Sequence, residues 1–74
     1  MKGLAGLRKS RNLTQSAVAE RLGTDQAAVS RIERRGDVLV STLREYLTAI
    51  GAESPRVVVD FGGEDFVLDL GLLP

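Results

Sequence analysis

The sequence predicts a mostly α chain of four or five short helices followed by a C-terminal β-hairpin. Apolar residues recur at spacings of three and four as far as Ile50. Glycines and capping residues cut that pattern into short pieces, and beyond Pro55 the apolar period changes to two. At 74 residues the chain is one domain with a small core, for which burial between two copies would add stability.

Leu4 and Leu7 support a first helix over roughly residues 2–11, weakened by Gly3 and Gly6. Asn12 interrupts it, and Leu13 can pack across the junction. The stretch from Thr14 to Arg35 organises the rest. Val18, Ala19 and Leu22 share one face of a helix starting near Gln15, and Val29 and Ile32 share one face of another starting near Gln26. Between them Gly23 supplies the positive φ that a short reversal needs. Thr14 and Asp25 stand where side-chain oxygens can cap the two helix starts. Ala19 is small enough for the helices to cross closely. The pattern is that of a helix-turn-helix, with an αα-hairpin in an unrelated small helical protein as the plainer alternative.

Gly36 and Asp37 break the chain, and Val38 to Val40 form a connector. A fourth helix is expected from Ser41 or Thr42, with Thr42 and Glu45 as a capping box. Leu43, Tyr46, Leu47 and Ile50 make its apolar stripe, with Tyr46 as a packing residue, and Gly51 ends it. Val57, Val59 and Phe61 then alternate along one strand, and Phe66, Leu68 and Leu70 along a second. A Gly63-Glu64 turn centre would set Phe61 opposite Phe66, Val59 opposite Leu68 and Val57 opposite Leu70. A Gly62-Gly63 centre would oppose Asp60 and Asp65, so the first register is preferred. The expected organisation is a helix-turn-helix region over residues 1–52 and a hairpin over 56–71. A lone hairpin is marginal in water. Its six apolar residues are therefore assigned to dimerisation, the alternatives being packing on its own fourth helix or capture of another protein.

Net charge is zero but polarised. Residues 1–36 hold eight Lys and Arg against three Asp and Glu, and residues 37–74 hold two against seven. One half is thus suited to phosphates and the other is repelled by them. The absence of Cys and His removes disulfides and the usual transition-metal and acid-base ligands. No cofactor, no metal and no catalysis are expected, and Asp60, Glu64, Asp65 and Asp69 are read as a solvated acidic face rather than a Mg²⁺ site. No apolar run approaches the ~20 residues of a membrane span, and no signal-peptide core opens the chain, which points to a cytoplasmic protein.

On the third helix Gln26, Ala27, Ser30 and Arg31 face outward. Gln can pair with adenine, Ala can touch a thymine methyl and Arg can take guanine in the major groove. Phosphate contact competes for Arg31, and an ordinary polar first turn competes for Gln26. Arg34 follows at the helix end, where a cation also complements the helix dipole. Gln15 opens the second helix, where a phosphate oxygen could be received.

The segment LRKSRNLTQSAVAERLGTDQAAVSRIE resembles the phage repressor and Cro-type (XRE-like) helix-turn-helix domains. Leu7-Arg8, Thr14-Gln15, Ala19-Glu20-Arg21-Leu22-Gly23 and Ser30-Arg31-Ile32-Glu33 carry the likeness. The resemblance implies a repressor-like fold, a structural ion pair between Arg8 and Glu33, and a backbone-holding role for Gln15. An exposed Arg8 on phosphate is the alternative to that pair. STLREYLTAIG followed by alternating strands resembles antitoxins of the HigA and HipB kinds. That implies a homodimer bound to a double-stranded DNA operator, an autoregulatory role, and a cognate toxin as a further partner. The competing expectation is a protein-interaction module with little DNA readout.

Overall fold

The computed structural model describes residues 3–72. Met1 and Lys2, where the first helix was expected to begin, and Leu73 and Pro74 lie outside the described residues. Four helices, α1 (Leu4–Ser10), α2 (Gln15–Leu22), α3 (Gln26–Arg34) and α4 (Val40–Ala49), precede the strands β1 (Arg56–Asp60) and β2 (Asp65–Asp69). A single 3₁₀ turn, η1 (Leu70–Leu72), follows β2.

The helix boundaries follow local chemistry. Thr14 Oγ1 accepts from the Ala17 N–H at 3.0 Å, and Asp25 Oδ1 accepts from the Ala28 N–H at 2.8 Å. Both fill donors that a helix start leaves unpaired. Helix α2 ends in a Schellman arrangement, with Gly23 at φ +70 and the Thr24 N–H bonded to the Ala19 carbonyl at 2.9 Å. Asn12, at φ 58, closes α1 in the same way, with the Leu13 N–H on the Arg8 carbonyl at 3.3 Å. Helix α4 differs from expectation at its start. It begins at Val40, with Leu39 as N-cap and no side-chain cap bond. The capping box from Thr42 to Glu45 does not form, because both residues already lie inside the helix.

Val18, Ala19, Val29, Tyr46 and Ile50 form the buried core, with Leu4, Leu13, Leu22, Ile32, Leu47 and Ala49 packed around it. Helix α2 packs on both α3 and α4. Its end is tied to α4 by Arg21 Nη1, which donates to the Ala49 carbonyl at 2.8 Å and so fills an acceptor that the helix end leaves open.

The hairpin register corrects the expectation. Val57 pairs with Leu68, Val59 with Phe66 and Asp60 with Asp65. The turn centre is Gly62-Gly63, at φ 62 and φ 104, the conformation a type I′ turn requires at both positions. Two adjacent glycines meet that demand at little cost. Asp60 is also occupied, its Oδ1 accepting from the Gly63 N–H at 3.0 Å. These gains outweigh the like-charge opposition that had disfavoured this register. The slip is two residues, so Val57, Val59, Phe61, Phe66 and Leu68 still share one face. The Phe61 and Phe66 rings meet edge to face, with centroids 5.4 Å apart.

Leu70 is the second correction. It lies in η1 rather than opposite Val57, and it is buried against its own chain. Arg44 Nη1 donates to its carbonyl at 3.0 Å, and η1 rests on α4. The other five assigned hairpin residues are exposed, as are Val58 and Val67 on the opposite face. The body of the hairpin is therefore not folded back onto α4.

Candidate nucleic-acid interface

The interface is built outward from a buried carboxylate. Glu33, on α3, receives Arg8 from α1 through two bonds, Nε to Oε2 at 2.7 Å and Nη2 to Oε1 at 3.1 Å. The two side chains are 8% and 4% exposed, so an unpaired charge at either place would lack solvent. Arg8 Nη1 also donates to the Leu13 carbonyl at 2.8 Å, which holds the junction between α1 and α2. The Tyr46 hydroxyl, on α4, gives its proton to Glu33 Oε2 at 2.7 Å. Gln15 Nε2, on α2, donates to Oε1 at 3.1 Å. One carboxylate thus gathers all four helices.

Its electrostatics follow from that shell. Burial by itself would raise the Glu33 carboxyl, but the hydrogen bonds from Arg8, Tyr46 and Gln15 hold it below its ordinary value. The Glu33 hydrogen bond raises Arg8 further, and burial first, then Glu33, pushes the Tyr46 phenol upward.

The same carboxylate sets the polarity of the outer side chains. A carboxylate only accepts, so the Gln15 amide must turn its Nε2 inward and its Oε1 outward. That oxygen accepts from Gln26 Nε2 at 3.2 Å. Gln26 Oε1 in turn faces away and is approached by Ser16 Oγ at 3.5 Å. Gln15 Nε2 gives one N–H to Glu33 and has a second N–H for a further acceptor. Gln26 presents an acceptor and a remaining N–H, the pair that adenine N6 and N7 complement.

Around this point Gln26, Ala27 and Arg31 are exposed, and Ser30 is half-buried. Arg34 and Arg35 are exposed at the end of α3, and Lys9 and Arg11 are exposed on and just beyond α1. One of the basic residues counted from sequence does not belong to the outward charge, since Arg8 is buried against Glu33; Arg21 stays exposed, with one guanidinium N–H on the Ala49 carbonyl. Tyr46, expected from sequence as a packing residue, is buried in the core and also donates to Glu33. Its hydroxyl was the available signal, because a buried phenol needs a partner. Among the described residues no group of three Asp or Glu side chains is gathered as a metal site would require, and no helix is long and apolar enough to cross a membrane.

Residues 4–57 match the helix-turn-helix family HTH_3. A solved structure named DNA bound antitoxin HigA3 is similar to this chain at 35% identity and a TM-score of 0.72, over 92% of this chain and 90% of the other. No curated protein matches.

Proposed function

The chain belongs to the HTH_3 helix-turn-helix family, and from that premise we propose that it is a sequence-specific DNA-binding transcriptional repressor of the antitoxin type, binding its own operator as a homodimer. The observation that carries the reading is the oriented amide of Gln26 beside exposed Ala27 at the start of a helix whose rear face is buried, with exposed Arg31 in its last turn. Arg31 supplies a guanine-reading group, Gln15 and the exposed arginines supply phosphate contacts, and the acidic hairpin is itself repelled by phosphates. The likeness to a DNA-bound antitoxin supports both the operator and a toxin as the second partner.

A dimer would place two α3 helices about one turn of DNA apart, roughly 34–36 Å. The test is a gel-shift titration on fragments of the chain's own promoter at several salt concentrations. Saturable binding that weakens steeply with salt and favours one fragment by ~10³-fold or more over random DNA is the expected result. Uniform weak binding to every fragment would remove the readout role.

A further inference from the structure

Resting on the homodimer reading above, we infer that a second copy docks on the free edge of β1, antiparallel and centred on Val58, and that the free edge of β2 stays unpaired. The hydrogen-bond parity of the hairpin selects the groups on each edge. The Phe61 N–H bonds to the Glu64 carbonyl at 2.8 Å, and the Leu70 N–H bonds to the Pro55 carbonyl at 3.0 Å. Positions 55, 57, 59 and 61 therefore point their backbone groups at β2, because bonded and unbonded pairs alternate in an antiparallel ladder. The outward groups of β1 belong to Arg56, Val58 and Asp60, and those of β2 to Asp65, Val67 and Asp69.

A two-fold axis makes each edge meet itself. On β1, centring at Val58 sets Val58 against its copy and Arg56 against Asp60 at both ends, two opposite-charge pairs. On β2, centring at Val67 sets Asp65 against Asp69 at both ends, two like-charge pairs. Directly opposed like charges destabilise a sheet and opposite charges stabilise it, so β1 is the edge that accepts its copy.

The apolar pattern agrees. The β1 pairing puts Val57 beside Val59 of the second copy, so Leu68, Val57, Val59 and Phe66 line up across the joined sheet, in two rows related by the axis. On the other face the row is Val67, Val58 and their two copies. These side chains are exposed in the single chain, Val58 at 60% and Val67 at 58%. The Asp60 carboxylate caps Gly63 with one oxygen and keeps acceptor capacity for Arg56 of a second copy.

The chain has no cysteine, so a single introduced thiol reports the geometry cleanly. At the axis the two Val58 Cα atoms would be about 5.5 Å apart, within disulfide range. Val58→Cys under mild oxidation should run at twice the monomer mass, while Val67→Cys should remain monomeric on a denaturing gel. Arg56→Asp and Asp60→Arg should each lose the dimer alone and regain it when mixed, since the mixture restores opposite charges at both ends. Circular dichroism on each variant monitors folding. Cross-linking at Val67 instead of Val58, or at neither while the native chain keeps a dimer mass, overturns the β1 assignment and leaves the dimer standing. A native chain that stays monomeric at all concentrations and on DNA overturns the dimer and this assignment with it.

Discussion

Replacing Tyr46 by Phe isolates one hydroxyl in the network that holds the four helices, bonded chiefly to Glu33 at 2.7 Å and more distantly to the Leu4 carbonyl at 3.3 Å. The ring is fully buried and stays in place, so no cavity opens. What is lost is the proton delivered to Glu33 Oε2 at 2.7 Å, one of four donors on that carboxylate. A hydrogen bond to a charged group contributes about 1.5–3 kcal/mol, and the remaining three donors keep the charge from being stranded. Against a total of about 4–11 kcal/mol for a chain of this size, the loss is large but survivable. At roughly 4–8 °C per kcal/mol, Tm should fall by on the order of 10 °C, with an unchanged denaturant slope. The acid side gives a second reading. The folded-state Glu33 carboxyl lies below its unfolded value, so its contribution is complete above the unfolded value and is lost as pH falls through the folded one. Removing a donor lifts the folded value toward the unfolded one, so acid unfolding of Tyr46→Phe should begin at higher pH than in the native chain. Thermal melts followed by circular dichroism between pH 2 and pH 7 (roughly the carboxylate range) measure both. A change under ~0.5 kcal/mol at neutral pH, with superimposable acid limbs, would refute the assignment of the hydroxyl to the carboxylate.

Gly23→Ala meets open space around the new methyl group but keeps φ at +70, so it should cost about 1–2 kcal/mol in a urea titration from backbone strain alone. Asp25→Ala removes the α3 cap and should cost ~1 kcal/mol, an effect that Asp25→Asn largely avoids. Arg31→Ala should weaken operator binding by ~1–3 kcal/mol if the side chain reads a base, and a loss that is equal on all duplexes would make it a phosphate contact. Gln15→Leu removes the side chain that orients Gln26, so it should flatten base preference at the position proposed for Gln26, scored by binding to a set of single-base operator variants. A preference profile identical to that of the native chain would count against the relay.

The local features were legible because they depend on neighbours in sequence. Gly23 between two apolar stripes, with Thr14 and Asp25 at the caps, located α2 and α3 to their first residues. The alternation after Pro55 gave the strands and their shared apolar face, since a slip of two residues leaves that face unchanged. The pairing of Arg8 with Glu33 was accessible only through resemblance, because twenty-five residues separate them and no period links them. Composition supplied a count of basic residues but not which of them face outward.

Tertiary structure decided where several weak preferences competed. The hairpin took the register that opposes Asp60 and Asp65, because two glycines at positive φ and a capped Gly63 N–H outweighed one repulsion at the surface. Leu70 left the strand because burial against its own chain was available to it and not to Leu68. Burial turned the Tyr46 hydroxyl from a feature of a packing residue into a donor to Glu33. Through Gln15 that carboxylate sets which end of the Gln26 amide faces outward. Periodicity placed each residue on a face, and only the closed core, where a buried charge must find all its donors, settled what each polar atom does there.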